Sequence, residues 1–204
     1  LRPVKLIVPE GSILNPRWPC PVASGNVETS QRVVDLLLGC LGISAGSQGT
    51  MNNLLFQVQG EVPYYETIGG GYGGSVYCMG PSAVQVHMTN TRITDPEVLE
   101  LRHPGIRLRR FSVRHGSGGK GRHPGGDGII RDIEFLKEAT VTVVSERRKT
   151  PAFGLNGGTP GARGVNLLWP QGQRPQEIPH RASFKVSPGT RLIIKTPGGG
   201  GFNQ

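Results

Sequence analysis

The sequence predicts an α+β fold that is predominantly β, with a helix-containing α+β segment over residues 1–104 and a β-rich segment over residues 105–204. Glycine and proline contribute 32 and 17 of the 204 residues. Apolar residues come in short runs between them, and only one long stretch has the composition of a helix. Short strands joined by tight turns give this combination. We therefore expect one buried amino-terminal helix, followed by a carboxyl-terminal sheet arranged as a sandwich or a barrel.

The first elements are an extended connector and a helix. Four prolines between residues 9 and 21 disfavour helix and strand interiors alike, because proline lacks a backbone N–H. In the stretch that follows, Asn26, Thr29 or Ser30 can cap a helix. Apolar side chains between positions 33 and 41 occupy nearly every face of this helix, which predicts that it is buried on most sides.

Strands account for most of the remaining elements. A second, short helix is predicted where Asp95 can act as the N-cap and Pro96 as the first helical residue. Elsewhere, runs of β-branched and aromatic residues bounded by glycine and proline are typical of strands. The predicted strands cover residues 54–58, 64–68, 82–88, 107–115, 128–136, 140–146, 164–169, 182–186 and 191–195.

The charge of the chain first suggests a nucleic-acid partner. The formal net charge is +9, from 23 lysines and arginines against 14 acidic residues. However, the arginines are dispersed, and aromatic residues at 6% offer no regular stacking platform between them. A solvated surface, or a basic face docked against an acidic partner, explains the charge equally well. We expect no nucleic-acid partner.

Cysteine usage and hydropathy predict a cytoplasmic location. Cys20, Cys40 and Cys78 form no C-x-x-C pair, and an odd, sparse set argues against a disulfide framework. No stretch approaches 18 uninterrupted apolar residues, and no signal peptide is visible. We therefore expect no membrane association.

Several short motifs match catalytic signatures in letters but not in context. Residues 69–74 and 116–121 both match G-x-G-x-x-G, yet neither string lies between a strand and a helix as dinucleotide binding requires. Residues 42–46 match G-x-S-x-G, but the helix precedes the serine instead of following it. The five histidines show no i, i+4 pair on a helix, so no metal site is predicted.

Polar side chains are crowded at the start of the long helix. Asn26, Glu28 and Gln31 exceed what capping alone requires. Surplus polar groups at a helix amino terminus can hold a carboxylate or a carbonyl oxygen. A structural hydrogen-bond network and a set of ligand contacts remain equally good interpretations.

A second group of candidate residues lies further along the chain. Glu66 stands between tyrosines and three glycines, and His87 lies on the predicted strand over residues 82–88. Asn90 and Thr91 follow at the end of that strand. His87 is either a hydrogen-bonded, half-buried histidine or part of a pocket that Asn90 and Thr91 also line.

The chain resembles the carboxyl-terminal part of the hydantoinase B and ATP-dependent 5-oxoprolinase family. The string Tyr64-Tyr65-Glu66-Thr67 and the string from His87 to Glu97 are similar to 5-oxoprolinases in particular. Nearly the whole chain takes part in the resemblance. The matching blocks cover residues 12–16, 25–32, 49–53, 64–74, 87–100, 117–128, 146–164 and 196–202.

The resemblance implies a two-part enzyme in which this chain is inactive alone. A hydantoinase A-like ATPase domain or subunit binds ATP and Mg, and no cofactor or metal is expected in this segment. The implied substrate is a small cyclic amide. If it is 5-oxo-L-proline, the reaction converts 5-oxo-L-proline, ATP and water to L-glutamate, ADP and phosphate. A hydantoinase B-type subunit acting on hydantoins and a non-catalytic assembly module are the alternatives, and a homo-oligomer is expected. We assign Glu66 and His87 to catalysis, and Asn26, Glu28, Gln31, Asn90 and Thr91 to substrate binding.

Overall fold

The computed structural model describes residues 5–203, which contain two helices and nine strands. No hydrophobic segment long enough to cross a bilayer is found among the helices of these residues. The elements are α1 (Gly25–Cys40), β1 (Asn53–Val58), β2 (Tyr64–Thr67), α2 (Pro96–Arg102), β3 (Ile106–Arg114), β4 (Gly128–Phe135), β5 (Ala139–Val144), β6 (Val165–Trp169), β7 (Gln176–Glu177), β8 (Arg181–Val186) and β9 (Thr190–Lys195).

The strands form two antiparallel sheets. The first has the order β2-β1-β5-β8, and the second has the order β3-β4-β9-β6-β7. Strands of both predicted segments therefore share the first sheet, since β1 and β2 precede residue 105 and β5 and β8 follow it. The predicted α+β, predominantly β class is confirmed. The two sheets remain separate, so the barrel alternative is not the arrangement found.

One hydrophobic core lies between the two sheets. Strands β1, β5 and β9 bury every second residue, which is the pattern of strands with one face toward a core. Phe56 of the first sheet and Phe135 of the second meet edge to face, with ring centroids 5.7 Å apart. Leu99 of α2 belongs to the same buried cluster. The core thus joins residues far apart in the chain.

Glycine-rich segments pack beside the sheets without forming strands of their own. The glycine run near residue 200 bonds to several of them: the Gly199 amide donates to Gly126, Gly119 donates to Gly199, and the Gly200 amide donates to Gly46. A Cβ atom on Gly200 would overlap the backbone of Phe153. Most of these glycines are therefore explained by close backbone contact. We call the packed backbone around Gly46, Gly71, Gly119, Gly126 and residues 198–201 the glycine seam.

The long helix differs from its prediction. It begins at Gly25, so Asn26, Thr29 and Ser30 lie inside it, and no side chain caps its amino terminus. The prediction of a helix buried on most sides is wrong, because Leu36 and Leu37 are 60% and 56% exposed. The buried residues of α1 are polar. The helix is amphipathic with its polar face inward.

The predicted strand over residues 82–88 is also wrong. Only an isolated bridge between Val84 and Gly70 forms there, and His87 adopts a φ of 49° in a turn. A continuous strand requires negative φ at every residue. The direction of the His87 ring is therefore not set by the alternation of side chains along a strand.

A substitution in the glycine seam tests the close backbone packing. We expect Gly200→Ala to lower the free energy of unfolding by about 3 kcal/mol or more, because the added methyl group meets backbone atoms that cannot rotate away. Gly25→Ala is the control, since a Cβ atom there would have nothing within 4 Å. Urea unfolding of the polypeptide that contains this segment measures both. Equal unfolding midpoints for the two variants would contradict the packing described here.

Candidate functional site in the polar network beneath α1

The inner face of α1 carries a row of buried polar side chains. Glu28, Gln31 and Asp35 are spaced three and four residues apart, so they lie on one face of the helix. Each is 1% exposed or less. Buried carboxylates and amides are costly unless hydrogen-bonded or paired with opposite charge. The groups that face this row therefore define the site.

Asp35 binds three partners from different parts of the chain. Its Oδ1 atom accepts a hydrogen bond of 2.8 Å from the Ser47 amide and lies 2.8 Å from Nε2 of His87. Its Oδ2 atom accepts a bond of 3.1 Å from Nη2 of Arg147. All of these side chains are nearly inaccessible to solvent. Asp35 thus fixes the His87 ring and the Arg147 guanidinium relative to α1.

Gly49 allows the loop before β1 to lie against this ion pair. Its φ is 59°, and a Cβ atom there would lie 2.7 Å from Nε of Arg147 and 2.9 Å from Oδ2 of Asp35. Burial lowers the pKa of Arg147, and Arg32 lowers it further, whereas Asp35 acts in the opposite direction. The carboxylate of Asp35 is therefore the countercharge that keeps Arg147 a cation in a dry environment.

Glu28 is less completely paired than Asp35. Its Oε1 atom accepts hydrogen bonds from the Met51 amide at 3.0 Å and from Nδ2 of Asn53 at 2.7 Å. Its Oε2 atom is buried and has no partner among residues 5–203. Burial raises the pKa of Glu28. A carboxyl group in this environment favours its protonated form.

Arg148 is buried beside the loop that joins α1 to β1. It is hydrogen-bonded to the side-chain oxygens of Asn52 at 2.6 Å and Asn166 at 2.7 Å. Burial lowers the pKa of Arg148 to about 9, so the guanidinium remains charged at neutral pH. Glu28 and Glu146 raise the pKa of Arg148 and so partly offset the effect of burial.

Gln31 is the least satisfied member of the network. It is fully buried, and neither its side-chain nitrogen nor its oxygen has a partner in the described part of the chain. Nε2 of Gln48 and Nε of Arg147 are also buried without partners there. Each such atom costs about 1–3 kcal/mol relative to a satisfied one. A bound water, an ion or a functional role is the usual explanation for such buried atoms.

Glu66 belongs to a separate network. Arg131 is fully buried on β4 and donates to both Glu66 oxygens, at 3.0 and 2.9 Å. The Tyr64 hydroxyl lies 3.1 Å from Glu66 and 3.1 Å from the Thr94 hydroxyl. Burial raises the pKa of Tyr64, and the neighbouring Glu66 carboxylate raises it further. This bidentate pair joins β2 of the first sheet to β4 of the second.

The predicted site residues therefore fall into three groups. Glu28 and Gln31 share the inner face of α1 with Asp35, which binds His87. Glu66 is paired with Arg131 instead. The remaining predicted residues are exposed: Asn26 near the start of α1, and Asn90 and Thr91 on the loop after His87.

Sequence reasoning missed Asp35, Arg147 and Arg148. In the sequence Asp35 interrupts an apolar run, but its spacing from Glu28 and Gln31 places the three side chains on one helix face and is a usable signal. Arg147 and Arg148 lie three and four residues after the end of β5, but their sequence position does not indicate that they point inward. Long-range pairing with α1 is visible only once the chain is folded.

Other types of site find little support among residues 5–203. No group of three or more His, Cys, Asp or Glu side chains there could hold a metal ion. Both G-x-G-x-x-G strings are used for backbone packing: Cβ atoms on Gly71 and Gly118 would overlap Gly126 and Gly125. Two cavities of about 350 and 390 Å³ lie beside the β5 and β8 ends, and the residues that line them do not belong to the polar network.

Comparison with known proteins identifies the family. Residues 1–204 match the hydantoinase B/oxoprolinase family along their whole length. The chain is 48% identical over 204 residues to a 5-oxoprolinase of Dictyostelium discoideum and 49% identical over 204 residues to 5-oxoprolinase 1 of Arabidopsis thaliana. Both matches include 100% of this chain, which spans only 16% of the length of either relative.

The fold is shared with a solved structure. The crystal structure of an ATP-dependent caprolactamase from Pseudomonas jessenii superposes with a TM-score of 0.77 at 21% identity. The superposition covers 97% of this chain and 37% of that chain. At this identity the likeness establishes the fold alone. From the match over residues 1–204, the chain belongs to the hydantoinase B/oxoprolinase family.

Proposed function

We propose that this chain is a segment of an ATP-dependent cyclic-amide hydrolase that converts 5-oxo-L-proline to L-glutamate. The observation that carries the proposal is the identity of 48% and 49%, over the whole chain, to two proteins named as 5-oxoprolinases. Because the chain spans 16% of those relatives, it would act only together with the rest of the enzyme.

The proposed reaction requires activation of the ring before water attacks. An unstrained lactam is a poor electrophile, and transfer of the ATP γ-phosphoryl group to the amide oxygen would activate the ring carbon. Water would then add to this carbon, the ring C–N bond would break as its nitrogen gains a proton, and phosphate would leave to give L-glutamate. We assign ATP and Mg to the hydantoinase A-like part, because the glycine strings of this segment are already packed against backbone and do not fit a phosphate. This segment would then serve the ring-opening step.

His87 is the proposed proton-transfer group. Asp35 lies 2.8 Å from Nε2 of the ring, which leaves Nδ1 as the nitrogen that can take a proton from the attacking water. A carboxylate on one ring nitrogen fixes the tautomer and stabilises the imidazolium that forms. Arg147 supports this arrangement, since it pairs with the other oxygen of Asp35.

Glu66 is proposed to act by positioning its neighbours. Both of its oxygens bind Arg131, so a direct reaction with substrate would require breaking a buried ion pair. Tyr64 links Glu66 to Thr94. Thr94 lies near the end of the loop that runs from His87 to α2. Glu66 thereby holds the far end of the loop whose near end is fixed by Asp35.

The proposed substrate contacts divide between buried and exposed residues. Gln31 carries an unpartnered amide and Glu28 an unpartnered carboxyl oxygen on the inner face of α1. These groups would bind the polar atoms of the opened ring. Asn26, Asn90 and Thr91 are exposed and would reach substrate, or the remainder of the enzyme, from the surface.

Replacing His87 tests the proposed proton transfer. In the full-length enzyme we expect His87→Ala to lower glutamate formation from 5-oxoproline by about 100-fold or more, which is the usual contribution of a general base. Consumption of ATP should continue, since phosphorylation belongs to the other part. Parallel assays of glutamate and ADP measure both.

His115→Ala is the matched control for this experiment. The His115 side chain is 88% exposed and lies 3.8 Å from Asp127, so its removal should change glutamate formation by less than about twofold. Normal glutamate formation in the His87→Ala enzyme would remove His87 from catalysis. Such a result, in an enzyme that still assembles with the ATPase part, would favour the assembly-module alternative.

The protonation of Glu28 gives a second test, on stability. Because burial raises its pKa above the ordinary value of 4.5, the folded state binds this proton more tightly than the unfolded chain. The contribution of Glu28 to stability is therefore complete below pH 4.5 and declines as the pH rises through the folded-state pKa. We expect the Tm difference, Glu28→Gln minus unmodified enzyme, to become more positive over this range.

Thermal unfolding at a series of pH values measures this difference. Glu138→Gln is the control, because Glu138 is exposed between β4 and β5 and lies outside the polar network. A Tm difference for Glu28→Gln that does not change with pH would show that the carboxyl group does not become charged in the folded state over that range.

A further inference from the structure

The outer face of α1 is an apolar surface that no part of residues 5–203 covers. Leu36, Leu37, Cys40 and Leu41 follow the i, i+3, i+4 spacing of one helix face. All four are exposed, and Leu41 is 71% exposed. The opposite face of the same helix is polar and buried. An amphipathic helix places its apolar face against a partner, so the partner of α1 lies outside the described residues.

This apolar surface continues onto a neighbouring loop. Ile43 accepts a hydrogen bond of 3.0 Å from the Val76 amide, and an isolated bridge joins Ser44 to Ser75. The loop that follows exposes Tyr77 and Met79. We call the whole patch the outer surface. Its apolar members are Leu36, Leu37, Leu41, Ile43, Tyr77 and Met79.

The amino-terminal arm, residues 5–22, also exposes large apolar side chains. Residues 5–22 form no helix or strand, and Trp18 is 93% exposed. Leu6, Ile7 and Ile13 of this arm are also exposed. The arm leads directly into α1. Exposed apolar side chains grouped in this way are typical of an interaction surface.

We propose that the outer surface docks against the rest of the same hydantoinase B-type polypeptide. The chain covers only 37% of the caprolactamase chain that shares its fold, so a relative of this kind has ample further chain to cover the patch. The patch is made of side chains typical of a protein core, as in a permanent interface that resembles a domain core cut in half. This inference does not depend on which cyclic amide is the substrate.

Two other occupants are less consistent with the surface. A separable ATPase part would be expected to meet a more polar surface with charged residues at its rim, whereas the outer surface contains no charged side chain. A second copy would need the patch to be complementary to itself. The helix also presents its polar face to the His87 network, so the segment that covers its apolar face belongs to the same folding unit.

Photo-crosslinking in the full-length enzyme tests the proposal. A photoreactive amino acid in place of Leu37 should crosslink to a peptide from the remaining hydantoinase B-type part of its own chain. Mass spectrometry identifies the peptide, and mixing two isotopically distinct preparations separates contacts within a chain from contacts between copies. Crosslinks to the ATPase part, or crosslinks of mixed isotope composition, would overturn the proposal.

Thiol labelling gives an independent measurement that requires no change in the outer surface. Cys40 lies on this face and is exposed in the structure of residues 5–203. In the native full-length enzyme we expect a maleimide to modify Cys40 about tenfold or more slowly than a cysteine at the 82% exposed Leu101, because thiol modification requires access. Leu101→Cys is a suitable reference since it lies on α2, away from the patch. Equal rates for the two thiols would contradict a covered surface.

Discussion

The carboxylate of Asp35 is the constraint on which the rest of the site depends. It is almost completely buried, so it must be compensated by charge and hydrogen bonds. Arg147, His87 and the Ser47 amide supply them. These partners come from three separate loops. Breaking one partner of a buried ion pair typically costs about 3–5 kcal/mol, so the polar network fixes the position of α1 against the loops as well as the orientation of the His87 ring.

Close backbone packing makes this arrangement possible. The loop that carries Ser47 and Gly49 is hydrogen-bonded to the glycine seam, through Gln48 to Gly71 and Gly46 to Phe153. Side chains at most seam positions would overlap neighbouring backbone. The seam therefore holds loops near one another that no strand pairing connects. A high glycine content, which in an isolated segment favours disorder, here specifies a dense and irregular part of the fold.

Local patterns in the sequence predicted most of the strands, because alternation and turn residues act within a few positions. The strands β4, β5, β8 and β9 lie within one or two residues of their predicted bounds. Failures occurred where long-range contacts decide the outcome. Residues 82–88 have strand-like composition, yet the network with Asp35 holds His87 in a turn with positive φ. Polarity at a helix start predicts Glu28 and Gln31 as site residues, but this signal does not extend to Asp35. Glu66 pairs with Arg131, which no local pattern indicates. Hydrophobic composition predicted that α1 was buried, but composition does not indicate which face of a helix turns inward.

The helix α1 buries its polar face and exposes its apolar face, and this orientation connects the polar network to the outer surface. A helix whose polar face is buried gains little from the hydrophobic effect on its inner side, so its stability depends on hydrogen bonds and ion pairs there and on apolar contacts outside. The inner face contains the unpartnered atoms of Gln31 and Glu28, and the outer face contains exposed leucines. The unpartnered polar atoms and the uncovered leucines therefore lie on opposite faces of the same helix. Covering the leucines would add the missing apolar burial and hold the helix more firmly over the polar network. Completion of the outer surface and rigidity of the His87 network are thus linked through α1.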